Sequence, residues 1–277
     1  MINIITMAGQ GKRFSEQGYN LPKPLISVDG QPMIWRVIDC LPKAEKWIFV
    51  VRQEHIDNFE IDKIIKKKIP EAIITVDKDL LGGASILCAE KYVPNGKEVF
   101  IAGCDMGFLY NKEEFEKLKH SGYDCLLWTF TKDKRISNNP KSWGYAILEE
   151  DYRTIRGMSV KIPVSGNPFE DHAVAATFWI KSKEILYQAL KIMFKENIKT
   201  NNEYYLDNLP LALKFLGKKS GIFDVNFLIG WGTPEELKEF EKISFLYDSG
   251  GLRSSNLPGN ELNNWEKYFK NVWKNRA

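Results

Sequence analysis

Through roughly the first 130 residues, short apolar runs alternate with stretches whose apolar residues recur at helical spacing. The runs are too short for buried helices and read as strands, and the stretches between them are the crossovers that parallel strands require. Strands are expected at Ile2 to Met7, Lys46 to Arg52, Ala72 to Val76, Glu98 to Ala102 and Asp124 to Thr129. Helices are expected near Met33 to Leu41, Ile61 to Lys68, Ala84 to Tyr92 and Lys112 to His120. This order predicts an α/β domain on a largely parallel sheet.

After residue 130 the pattern changes. Strands near Gly144 to Glu149, Thr154 to Val160 and Ala173 to Ile180 are separated by turn-forming residues, which predicts antiparallel hairpins in a second, substrate-facing layer. Helices follow at Lys183 to Glu196 and Tyr204 to Leu216, then a strand at Gly221 to Phe227. Thr233 is expected to cap a helix that has Pro234 at its first position and acidic residues in its first turn. The stretch 248–259, rich in Gly and Ser, reads as a flexible linker. Beyond it Leu262, Trp265, Tyr268, Phe269, Val272 and Trp273 fall on one face of an amphipathic helix, which either packs back on the domain or serves as a subunit contact. The expected organisation is a domain over 1–242 made of two halves, 1–130 and 131–242, followed by a linker and helix over 243–277.

Composition narrows the class. With 44% hydrophobic and 27% charged residues the chain is an ordinary globular protein. A formal charge of +3 leaves no broad positive field for non-specific nucleic-acid binding, although a local phosphate pocket still fits. Cys40, Cys88, Cys104 and Cys125 are widely separated, so no zinc knuckle or dithiol motif is formed and reduced core thiols are expected. The sequence starts without the pattern of a signal peptide, and no run reaches the ~18 apolar residues that a membrane span needs. The expectation is a cytoplasmic protein that engages neither membrane nor nucleic acid and that forms either a monomer or a homo-oligomer.

The candidate chemistry starts where the first strand delivers Ala8-Gly9-Gln10-Gly11-Lys12-Arg13. Two residues without Cβ beside two cations let backbone N–H groups approach phosphate oxygens while Arg13 offsets their charge. The loop is neither the dinucleotide fingerprint, which wants a third glycine where Phe14 stands, nor a P-loop. In Leu21-Pro22-Lys23-Pro24-Leu25, two prolines restrict the backbone around Lys23 and lower the entropic cost of presenting its ammonium group.

With these two motifs at this spacing, the chain resembles the sugar-phosphate nucleotidylyltransferases, whose signature is a strand, then A-G-x-G-x-R, then P-K-P-L. The resemblance continues through Gly30-x-Pro32-Met33-Ile34 and, at further motifs, to Leu237. It implies a Rossmann-like mixed sheet of the nucleotide-diphospho-sugar transferase type, with an inserted antiparallel substrate subdomain and C-terminal helices. Arg13 and Lys23 then carry the catalytic charge, and Ala8, Gly9, Gly11 and Lys12 line the triphosphate. Gly82, Gly83 and Ala84 match the family's glycine-alanine loop against the base, with Gln53 a further candidate there. Asp105, just beyond a buried strand, matches the aspartate that holds Mg²⁺. Gly144 matches the glycine that approaches the sugar, Lys161 the lysine that contacts the acceptor phosphate, and Glu203 joins that acceptor-binding group.

The chain also departs from the family. Val160 replaces the usual glutamate before Lys161, and Ala175 stands in a glycine's place in the strand that follows His172, itself expected at the surface or pocket edge. Gly230 falls where the second metal aspartate belongs, leaving Glu203, Asp207 and Asp224 as candidates for that ligand. The resemblance implies transfer of an NMP from an NTP to a sugar phosphate or similar small phosphorylated acceptor, with release of pyrophosphate, in the synthesis of polysaccharide precursors. Two alternatives stay open: a cytidylyltransferase acting on a polyol phosphate or phosphocholine, suggested by Val160, and a silent nucleotide-sugar sensor, suggested by Gly230.

Overall fold

The computed structural model describes residues 1–77 and 82–272. Trp273, expected on the last helix, lies outside them. The chain forms two compact units, each assembled from separated stretches: Met1–Gly9, Ala44–Gly103 and Tyr110–Val225 in the first, and Gln10–Lys43, Cys104–Leu109 and the stretch from Asn226 onward in the second.

The first unit is built on a nine-stranded mixed sheet. Its parallel centre sets Ile2–Thr6 between Lys46–Val51 and Val99–Ala102, with Ile4 opposite both Ile48 and Ile101, and Ile73–Val76 outside Lys46–Val51. These strands are apolar along nearly their whole length because both sheet faces are covered. The strands after residue 130 do not make a second layer. Ala173–Ile180 runs antiparallel to Val99–Ala102 on one side and to Cys125–Phe130 on the other, and the hairpin Gly144–Leu148/Ile155–Val160 and the strand Ser220–Asp224 extend the same sheet. The physical reason is legible in Ala173–Ile180: all but one of its side chains are buried, as an inner strand requires.

One sheet face packs Ile4, Ile48, Ile101 and Phe178 against the helix Lys183–Lys195 and the helix Leu209–Phe215. The other buries an aromatic cluster in which Phe100 and Phe115 lie 5.1 Å and 5.3 Å from Trp128. The helix expected from Tyr204 starts only at Leu209, after a 3₁₀ turn at Leu206–Asn208, with Pro210 in the first turn where its missing N–H costs nothing. The segment Gly82–Tyr92 is 3₁₀ rather than α-helical, and an unforeseen helix, Gln53–Phe59, precedes Ile61–Lys68.

The second unit has a helix at Met33–Cys40 with only Trp35 and Asp39 outside its buried set. Arg36 in this helix donates to the carbonyls of Val28 and Asp29 at 3.2 and 2.9 Å, fastening the hairpin Ser27–Val28/Gln31–Pro32. The strand expected at Gly221 to Phe227 ends at Asp224, and a separate strand, Phe227–Gly230, pairs antiparallel with Met106–Leu109. Thr233 caps the helix Pro234–Asp248 as expected, in a reciprocal box with Glu236. The stretch 248–259 is not a free linker, because Leu252 in a 3₁₀ turn is buried. The last helix, Gly259–Asn271, packs back within this unit: Trp265, Tyr268 and Phe269 are buried, with rings about Phe240 and Phe269 stacked 4.5 Å from Tyr247.

Candidate active site

In the second unit the candidate phosphate and metal residues come together. Gly11 adopts the left-handed conformation, φ 63°, and caps a short helix, Lys12–Ser15, whose Phe14 is buried. A side chain at Gly11 would be strained, and its Cβ would stand 3.4 Å from Lys23 Cβ, so the glycine turn lies directly against the proline-flanked lysine. Lys12 and Arg13 are exposed. Lys23, in the 3₁₀ turn Lys23–Leu25, forms an ion pair through Nζ with Asp105 Oδ2. Asp105 is anchored through its main chain, its carbonyl accepting from Trp231 N at 2.8 Å.

Burial alone would lower the pKa of Lys23, but the Asp105 carboxylate outweighs it and raises that pKa, while Arg13 nearby pulls it back. The adjacent Cys104 thiol is pushed up to about 12 by burial, so it stays protonated and inert. Cys40 behaves alike and burial also raises Cys125, in keeping with core thiols.

Magnesium takes hard oxygen ligands and commonly binds through one or two carboxylates plus substrate phosphates. Asp105 supplies one such carboxylate, and among the described residues no group of three or more His, Cys, Asp or Glu is arranged to hold a metal ion. Space is kept beside it by Gly232, where a Cβ would stand 3.1 Å from Asp105 Oδ2. Glu236 Oε2 is equally close to that point, but it accepts from Gly232 N at 2.8 Å and Thr233 N at 3.1 Å as part of the helix cap. Gly232 is the glycine of the segment in which Gly230 takes the aspartate's place, and its through-space contact with Asp105 is what the structure adds.

The first unit holds the remaining candidates. Ala8 and Gly9 end its first stretch, and nothing lies within 4 Å of a Cβ built on Gly9, so packing does not explain that glycine. Gly83, by contrast, is demanded by the protein itself: its N–H donates to Tyr204 O at 2.8 Å, and a Cβ would come within 2.6 Å of Leu206. Gln53 is exposed and hydrogen-bonds Asp57 at 2.8 Å.

Gly144, Lys161 and Asp207 gather in the first unit. A Cβ at Gly144 would collide with the Asp207 carboxyl, overlapping Cγ at 2.9 Å. Lys161 is left-handed, φ 69°, donates from Nζ to Ser142 O at 2.5 Å and lies 5.2 Å over the Tyr205 ring. Burial pushes the Asp207 carboxyl up to about 6 against the opposing pull of Lys161. Val160 is buried, and Glu203 is exposed and hydrogen-bonds Tyr205, whose phenol burial first and Glu203 next push upward. Asp224 is taken up by His172 Nδ1 at 2.9 Å and by the Thr129 hydroxyl at 2.6 Å. Next to Ala175, Ala176 has φ 47° at a bulge between Val174 and Phe178.

The mixed sheet of the first unit is that of an α/β domain, and the glycine turn lies against the lysine–aspartate pair within the second. The chain belongs to the MobA-like NTP transferase domain family, whose model matches residues 3–153. It is 25% identical over 155 residues to the bifunctional protein GlmU of Methanocaldococcus jannaschii, an alignment covering 55% of this chain and spanning only 34% of that relative. Among solved structures, the nucleoside-diphosphate-sugar pyrophosphorylase of Vibrio cholerae RC9 superposes with TM-score 0.69 at 19% identity, over 87% of this chain and all (100%) of that one. The inositol-1-phosphate CTP transferase of T. maritima gives 0.67 at 18%, over 88% and 94%. At these identities the likeness establishes the fold.

Proposed function

We propose that the protein transfers an NMP from an NTP to a small phosphorylated acceptor and releases pyrophosphate. The observation that carries this reading is the union of the Gly11 turn, Lys23 and Asp105 in one compact unit, with Arg13 close enough to perturb Lys23. The backbone at 8–12 receives the triphosphate, with Arg13 and Lys23 offsetting its charge. Asp105 would hold Mg²⁺, which when bound neutralises phosphate oxygens. The acceptor phosphate needs no general base, because its dianion is already a nucleophile: one of its oxygens bonds to the α-phosphorus as the bond from that atom to the pyrophosphate oxygen breaks. Lys161 is assigned to the acceptor phosphate, with Gly144 and Glu203 beside the rest of that molecule, and Gly82, Gly83, Ala84 and Gln53 to the base.

The acceptor is read as a sugar phosphate or a polyol phosphate, in the service of polysaccharide precursor synthesis in the cytoplasm. The polyol reading gains from the fold shared with the inositol-1-phosphate CTP transferase. Among the described residues no helix is long and apolar enough to cross a membrane.

A thermal-shift panel of the four common NTPs with Mg²⁺, followed by pyrophosphate-release assays on hexose 1-phosphates, polyol phosphates and phosphocholine, tests the reading. Release is expected with one NTP–acceptor pair; nucleotide binding without release from any pair would leave the silent-sensor alternative standing. Lys23→Ala and Asp105→Asn should each lower turnover at least ~10²-fold with the fold intact, the scale of losing one preorganised charge partner. Wild-type turnover in either variant would remove that residue from the chemistry.

A further inference from the structure

We propose that Lys23 and a divalent cation are alternative occupants of the Asp105 carboxylate, so that metal and nucleotide are taken up together. The inference rests on the reading of Asp105 as the metal carboxylate.

The geometry leaves Lys23 little freedom except at the end of its side chain. Its backbone is fixed between Pro22 and Pro24 in a 3₁₀ turn, and Gly11 abuts its Cβ. Nζ is bonded to Asp105 Oδ2, the oxygen that faces the space Gly232 keeps open. An ammonium hydrogen bond and a dication on one carboxylate oxygen compete, because the two cations repel strongly in so sheltered a place. Both side chains of the pair are only 20% exposed, so withdrawal of Lys23 alone would strand the Asp105 charge. A dication arriving at that carboxylate relieves this cost, and a polyphosphate receiving the freed ammonium relieves the other. Arg13, whose charge already pushes against Lys23, favours the shift once an anion lies between them. The two ligands are therefore coupled, and by linkage each raises the affinity for the other.

The test uses Mn²⁺ as the probe, followed by electron paramagnetic resonance on nucleotide-free protein. Lys23→Met should tighten Mn²⁺ binding by about tenfold over wild type, within the usual range of site-to-site coupling. Lys12→Met, which removes the same formal charge from the exposed loop, should change it much less, and Lys23→Arg should not tighten it. Adding Asp105→Asn to Lys23→Met should abolish the gain. Circular dichroism on each variant verifies the fold. Equal Mn²⁺ affinity in Lys23→Met and Lys12→Met, or a gain that survives Asp105→Asn, would overturn the proposal. Full turnover in Asp105→Asn would instead overturn the metal reading on which it rests, so the two failures are distinguishable.

Discussion

Asp207 holds its proton more tightly than an exposed aspartate because burial against Gly144 penalises its charge more than Lys161 rewards it. A carboxyl whose native pKa, about 6, lies above the unfolded value of about 3.9 favours folding below the lower value, and that advantage is lost as pH rises through the higher one. Asp207→Asn should therefore gain stability relative to wild type at pH about 7 and lose that gain near pH about 4, as read from paired urea titrations. A difference that does not vary with pH would show that Asp207 is not destabilised by its charge. At this scale short motifs singled out Gly11, Lys23 and Asp105, and the structure sets the three side by side. The Gly144–Asp207 contact was not legible, because nothing local ties a strand glycine to an aspartate in a distant turn. The left-handed Ala176 was not legible either, because a bulge inside an apolar strand leaves no mark in the hydrophobic pattern.

The helix Pro234–Asp248 depends on a start that satisfies its first donors: Thr233 Oγ1 accepts from Glu236 N at 3.2 Å while the Glu236 carboxylate accepts from two backbone N–H groups. Thr233→Ala should cost about 1 kcal/mol, measured as a lower urea midpoint with unchanged slope. An unchanged midpoint would mean that Glu236 alone holds the cap. This element was legible because a cap, a proline and an acidic first turn are chemical marks in sequence. The strands were legible from their apolar runs. Gln53–Phe59 was not, since its one fully buried residue is His55 and it offers no apolar stripe. The strand expected at Gly221 to Phe227 stops at Asp224, and Phe227–Gly230 was not foreseen as a strand of its own, because apolarity does not mark which sheet a run joins.

For the molecule as a whole, the two units are interleaved along the chain, which composition and periodicity do not reveal because they register only near neighbours. The second unit closes around the last helix, where Tyr268 is fully buried and reaches Cys40 and Arg36 on Met33–Cys40. Ending the chain after Gly250 should strip hydrogen-exchange protection from Met33–Cys40; retained protection would show that this helix stands without its late partner. A consequence for biosynthesis follows from the main-chain bond between Asp105 and Trp231 and the pairing of Met106–Leu109 with Phe227–Gly230. The ribosome releases Asp105 long before the strand that steadies it, so this corner of the second unit is among the last parts to be completed.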